Sequence, residues 1–323
     1  MKTLLLFLDV GTKTGLGHWH RCIALTGALA SNLRLVWVTP PLSESLQQEL
    51  ITRRIPRLEM PEWSVEALHS LLAEQAFEPQ GFILDLIATP LPLVIELKKR
   101  GLVLSIGGAG EGRDEVDVRI DGMIPRPDFH GRFTGRELHL GPEFVILRDV
   151  FVKASPHLPP PVLSRVLITL GGDAEGRGLN LGRDCAHTVT SLLFDVVVGP
   201  LYRGRLEEGP SSLTLHQTPN DMLTMLQRAE VVICSGGMTA YECCRLGLPM
   251  IIFPQTPLQR DAACTFVSHG AALMAETSHE VCQTLVRLQD EDLRASLSTQ
   301  AQRLVDGQGL YRVASLIEST FSN

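Results

Sequence analysis

The stretch GLGHWHRC places Gly15, Gly17, His18 and Arg21 within seven residues, a few positions after a short apolar run that ends at Asp9. An isolated imidazole titrates near pH 6.5, and a positioned base of this kind contributes about 10²–10⁴ in rate. His18 adjoins the glycine turn and is the better placed of the two histidines. For His20 an exposed helix position is expected. Arg21, one turn further on, either neutralises phosphate charge or pairs with an acid such as Asp9.

A second constellation consists of glycine turns that follow apolar runs. Gly171, Gly172 and Asp173 form one, and CSGGMT, with Ser235, Gly236, Gly237, Met238 and Thr239, forms another. A helix start preceded by glycine offers free backbone N–H groups and the positive end of the helix dipole, which suits phosphate oxygens. Glu242, about one and a half turns into the helix that follows, can accept two hydrogen bonds from a ribose diol. Gln255 and Gln259, in PQTPLQRDAAC, are within reach of a sugar. GLGHWH lacks the third glycine of the dinucleotide fingerprint, and no glycine turn is followed by Lys-Ser or Lys-Thr.

The elements that must position these residues alternate. TLLLFLD, RLVWVT, FILDL and LVLSIGG are short apolar runs separated by helical patterns such as HRCIALTGALA and PLVIELKKRG. This alternation predicts parallel sheets covered on both faces. It pauses at KASPHLPPPVLS, whose three consecutive prolines predict an extended linker. It restarts at RVLITLGGD and runs through EVVICSGG to PMIIFP. The expected organisation is a domain over 1–153, a second over 162–305, and a C-terminal helix over 306–323 packing back on the first. Parallel sheets of this kind bind ligands at the carboxyl ends of their strands and in clefts between domains.

At 323 residues the chain is long enough for two cores. The net charge of -7 leaves no broad basic surface for nucleic acid. The apolar run Leu4–Leu8 is too short for a signal peptide, and no stretch approaches the roughly 18 apolar residues of a membrane span, so a cytoplasmic protein is expected. The seven cysteines have no paired zinc-ligand spacing and fit reduced thiols better than a disulfide framework; neither a metal nor a cofactor is expected.

With these parts in order, the chain resembles the GT-B nucleotide-sugar proteins, and among them the family of the pseudaminic-acid pathway nucleotide-sugar hydrolase and the spore-coat polysaccharide protein. The resemblance rests on Asp9 with GLGHWHRCIALTGALA, on LGPEFVILRDVF, on LITLGGD and on VVICSGGMTAYECCRLGLPMIIFP. The last also looks like the nucleotide-binding stretch of the peptidoglycan N-acetylglucosaminyltransferase. The resemblance implies two Rossmann-like parallel-sheet domains facing across a cleft. It further implies UDP held through Gly171, Gly172, Ser235, Gly236, Gly237, Thr239 and Glu242, and a sugar held by the first domain. In that family the histidine matching His18 is the base.

The same resemblance carries a departure. Gly107 and Gly108, in SIGGAG, stand where the hydrolase family has an acid pair, and LDLIA keeps only Asp85 of an Asp-His-Tyr-like segment. The leading expectation is a hydrolase that releases UDP and a free amino sugar by water attack at the anomeric carbon, with His18 as base. Gly15, Gly17, Arg21, Asp9, Asp85, Gln255 and Gln259 would bind the substrate. A glycosyltransferase using the same donor, and a nucleotide-sugar binding protein without catalysis, are the alternatives.

Overall fold

The computed structural model describes residues 2–10, 17–29, 32–123, 132–157, 160–199, 202–206, 209–217 and 221–322. The chain forms two compact units, Met1–Arg148 with Gln308–Asn323, and Asp149–Gly307.

The first unit runs β1 (Lys2–Leu8), α1 (Gly17–Ala28), β2 (Leu33–Thr39), α2 (Glu44–Arg53), β3 (Arg57–Glu59), α3 (Val65–Ala73), β4 (Gly81–Asp85), α4 (Leu91–Lys98), β5 (Leu102–Ile106), β6 (Val118–Asp121) and β7 (Glu137–Leu140). Its seven strands are all parallel, in the order β3-β2-β1-β4-β5-β6-β7. The unbroken apolar run of β1 reflects cover on both faces, because successive side chains of a strand point to opposite sides. Leu4, Leu6 and Leu8 join Trp19, Cys22 and Leu25 of α1 in one cluster, whereas Leu5 and Phe7 join Leu68 of α3 and Leu93 and Val94 of α4 in another.

The second unit runs α5 (Asp149–Lys153), β8 (Arg165–Thr169), α6 (Arg177–Thr188), β9 (Leu193–Val198), β10 (Leu213–Gln217), α7 (Met222–Arg228), β11 (Val231–Cys234), α8 (Met238–Leu246), β12 (Met250–Ile252), α9 (Pro257–Ser268), β13 (Leu273–Met274), α10 (Ser278–Arg287) and α11 (Glu291–Leu304). Its six parallel strands are ordered β10-β9-β8-β11-β12-β13. Buried Arg294 of α11 donates to the carbonyls of Pro160 and Pro161, which have no N–H of their own to join a ladder, and so ties down the end of the proline segment.

The last helix, α12 (Gly309–Ser322), returns to the first unit. Leu310, Val313, Ala314, Ile317 and Phe321 recur with helical spacing and enter the same cluster as Leu4 and Trp19. Full burial of one such side chain contributes about 1.5–3 kcal/mol. No helix among the described residues is long and apolar enough to cross a membrane.

Candidate active site

In the first unit the strand order reverses direction between β1 and β4, since β2 and β3 lie on one side of that pair and β5, β6 and β7 on the other. Ligands of open parallel sheets bind outside the strand ends at such a switch point. Asp85 is the last residue of β4, opposite Leu8 of β1. The helix after β1 begins here, and its residues His18, Arg21 and Cys22 share one face because three- and four-residue spacings bring side chains together.

All three converge on Asp85, whose side chain is 0 % exposed. Nδ1 of His18 lies 2.5 Å from Oδ1. Arg21 forks onto both oxygens, with Nε donating to Oδ2 at 2.8 Å and Nη2 to Oδ1. The Cys22 thiol donates to Oδ2 at 3.1 Å. Burial pushes the Asp85 carboxyl up, but the Arg21 charge and the hydrogen bonds from His18 and Arg21 outweigh it and hold the pKa at about 2. Burial, followed by the Asp85 charge, pushes the Cys22 thiol well up, which keeps it a donor. Burial works against the Arg21 cation, and the Asp85 charge and hydrogen bond more than offset it.

These facts fix the tautomer of His18. An ionised carboxylate only accepts, so the short contact to Oδ1 requires the proton on Nδ1. The 3.1 Å approach of Arg21 Nη2 to the same nitrogen is then a meeting of two donors and no hydrogen bond. In the neutral ring that tautomer leaves the lone pair on Nε2, and the imidazole retains partial exposure at 20 %. A neutral ring held in this way is a base with its acceptor nitrogen turned from its carboxylate, the arrangement by which an Asp orients a catalytic His.

Several expectations change here. Arg21 pairs with Asp85 and not with Asp9. The Asp9 carboxylate accepts from Trp63 Nε1 and from the backbone N–H of Ile87, both at 2.6 Å, so it braces the β4–α4 loop. Asp85 does not present itself to a sugar, because it is buried and each of its oxygens accepts from two protein donors. His20 is half-buried, and burial together with the Arg148 charge lowers its pKa. Gly15 lies outside the described residues. Gly17 is the first residue of α1, and a Cβ there would meet nothing within 4 Å.

The glycines after β5 have a packing cause. At Gly108, with φ +85°, a Cβ would stand 2.3 Å from the carbonyl oxygen of Leu86, and the adjoining residues Ala88 and Ala109 form a parallel bridge. The β5 turn therefore presses on the β4–α4 loop, which leaves it no cradle for a phosphate at Gly108. Gly107 faces Arg21 instead, where a Cβ would lie 3.9 Å from Nη1.

The second unit has its own switch point between β8 and β11. The turn after β8 carries Gly171, Gly172 and Asp173. The Asp173 carboxylate accepts from the N–H groups of Arg177 and Gly178 at 2.8 Å each. The start of α6 is thus capped from within, and the N–H groups expected to meet phosphate there already serve Asp173. The start of α8 differs. Its N-cap, Gly237, supplies no side-chain hydrogen bond, and a Cβ on it would meet no atom within 4 Å. Gly236 turns the chain at φ +80°, packed against Ile252 and the Gln259 carbonyl, and Ser235 is buried beneath it. Met238 and Thr239 form the open first turn. Glu242, 6 % exposed, is buried in the helix one turn after Met238. Gln255 and Gln259 are bonded to each other, Gln259 Oε1 accepting from the Gln255 N–H at 2.7 Å, and Gln255 also accepts from Arg177.

Three residues that composition and spacing did not single out belong to these clusters. Cys22, one of the seven cysteines read as reduced thiols, is the first. Asp121 ends β6, is 2 % exposed, and has its pKa raised by burial while its charge supports Arg21. Arg177 brings a cation to the β8 and β12 loops, and its position directly after GGDAEG was the available signal. An open surface depression of about 580 Å³ between β7 and α12, lined by His139, Phe144, Tyr311 and Leu316 among others, includes none of the residues above. Among the described residues no group of His, Cys, Asp and Glu side chains could hold a metal ion.

Comparison with known proteins agrees with the two parallel-sheet units of the fold. Residues 212–313 match the glycosyltransferase family 28 C-terminal domain. The chain is 25% identical over 342 residues to the spore coat polysaccharide biosynthesis protein SpsG of Bacillus subtilis (strain 168), covering 98% of each. Among solved structures it is similar to Acinetobacter baumannii MurG, at a TM-score of 0.70 and 16% identity over 99% of this chain and all of that one. It is also similar to the spinosyn rhamnosyltransferase SpnG complexed with thymidine diphosphate, at a TM-score of 0.63 and 17% identity over the whole of both chains. In fold, the chain is therefore a GT-B protein, two parallel-sheet α/β units like those of glycosyltransferases, with a family 28 C-terminal domain match in the second unit and α12.

Proposed function

We propose that the protein transfers a sugar from a nucleoside-diphosphate donor to an acceptor hydroxyl, with His18 as general base. The observation that carries this reading is the contact of His18 Nδ1 with the saturated Asp85 carboxylate, which leaves Nε2 as the proton acceptor. Nε2 takes the hydroxyl proton while the acceptor oxygen bonds to the anomeric carbon. The bond from that carbon to the diphosphate breaks, and its electron pair leaves with the nucleotide. Asp85, with both oxygens taken by protein donors, is not free to act as a nucleophile, and the proposed displacement by the acceptor oxygen is a direct one.

The second unit would hold the donor. The uncapped start of α8, reached through the Gly236 turn, would supply the N–H groups of Gly237, Met238 and Thr239 and the helix dipole to the diphosphate, and would favour the charge that grows on the leaving group. The SpnG structure was obtained with thymidine diphosphate, which supports a nucleoside diphosphate as the ligand class. UDP is the nucleotide that the resemblance of VVICSGGMTAYE suggests, with Glu242 at the ribose.

Hydrolysis is the second reading. The resemblance of GLGHWHR to the hydrolase family favours it, and the same nitrogen can deprotonate water. Nucleotide release from a panel of UDP- and TDP-sugars, with and without sugar acceptors, tests both. Release that depends on acceptor is expected. Release at the same rate in water alone would replace transfer by hydrolysis, and absence of release with every donor would overturn both.

A further inference from the structure

Arg21 adjoins the proposed base, and its position admits two roles, a ligand for substrate phosphate or a part of the base's own support. The geometry points to the second. We propose that Arg21 is a positioning residue, whose planar fork on both oxygens of Asp85 fixes the carboxylate that in turn fixes the His18 tautomer. This deepens the transfer reading and rests on His18 being the base.

A guanidinium matches a carboxylate in two parallel hydrogen bonds, and each bond defines the plane of its partner. Here Nε and Nη2 occupy Oδ2 and Oδ1, His18 shares Oδ1, and the Cys22 thiol shares Oδ2. With all four places taken, the carboxylate cannot rotate without breaking a hydrogen bond to a buried partner. The Arg21 side chain is 13 % exposed and Asp85 is wholly buried, so little solvent screens the pair. Gly107 completes the arrangement, because it places no side chain, and hence no competing acid, beside the guanidinium.

The charges facing this pair can be named element by element. From α1 they are His18 and Cys22. Asp9, at the end of β1, turns its carboxylate to Trp63 and Ile87. The charge of Asp121, at the end of β6, also favours the Arg21 cation. Loss of Arg21 therefore leaves the Asp85 carboxylate with one imidazole and one thiol as donors, in a buried site that disfavours the charged form.

The test is NMR on the ligand-free full-length protein, following the ¹⁵N shifts of the His18 ring and the carboxyl carbon of Asp85 through a pH titration, in wild type, Arg21→Gln and Arg21→Lys. In wild type the ring is expected to show the Nδ1–H tautomer and Asp85 to titrate near pH 2. In Arg21→Gln the Asp85 midpoint is expected to rise and the ring to become a mixture of tautomers. Arg21→Lys keeps the charge and loses the fork, so a low Asp85 midpoint with mixed tautomers is expected; this variant decides the matter if Arg21→Gln fails to fold. Unchanged tautomer and Asp85 titration in both variants would overturn the proposal, as would a tenfold weaker binding of UDP or inorganic pyrophosphate with those signals unmoved. None of these readouts needs turnover, so a failure of the transfer reading is seen separately, in the nucleotide-release panel.

Discussion

Oδ1 of Asp85 lies 2.5 Å from Nδ1 of His18, two residues 67 positions apart in sequence that meet because β4 pairs with β1 and α1 begins beside that pair. The contact assigns the ring proton, and through it the acceptor nitrogen. Asp85→Asn offers an amide in place of one carboxylate oxygen, which permits the opposite tautomer. The turnover rate is expected to fall by about 10²–10⁴, with donor binding unchanged. Steady-state kinetics together with calorimetry of UDP binding separates the two effects.

Acid stability follows from the same carboxylate. Its folded pKa is depressed from 3.8 to about 2, so the pair stabilises the fold fully above pH 3.8 and loses that contribution as the pH falls toward 2. The drop corresponds to about 2 kcal/mol. Urea unfolding from pH 7 to pH 2 is expected to show a steeper acid loss in wild type than in Asp85→Asn. Parallel curves would contradict the low folded pKa.

Two neighbouring glycines are expected to differ in their tolerance of a methyl group. Gly107→Ala meets only the strain of φ +66° and is expected to cost about 1 kcal/mol. Gly108→Ala adds a clash with the Leu86 carbonyl and is expected to cost about 2–4 kcal/mol. Urea midpoints of the two variants give the comparison.

The fold was legible because strands buried on both faces are written as continuous apolar runs, and TLLLFLD and VVIC are of that kind. His18 and Arg21 were legible as a pair because helical spacing is local. Their partner was not, because the choice between Asp9 and Asp85 depends on where the ends of β1 and β4 send their side chains, and Asp9 turns toward Trp63. The Cys22 thiol looked like core, and it is core that also donates. GGD looked like an anion cradle, but the third residue of that motif is itself the anion at the start of α6.

Gly237→Asp would reproduce at α8 what Asp173 does at α6. Aspartate is a preferred N-cap, so stability is expected to hold or rise by up to about 1 kcal/mol. The new carboxylate would occupy the place proposed for phosphate, and UDP affinity is expected to fall at least tenfold by calorimetry. Undiminished UDP binding would remove the start of α8 from the donor site.

Single-turnover release of nucleotide, with donor and acceptor both saturating, compares wild type with His18→Ala at the step where the proton moves. The variant is expected to keep its donor affinity and to release nucleotide at least 10²-fold more slowly. Release at the wild-type rate by His18→Ala would show that the imidazole on Asp85 is not the base.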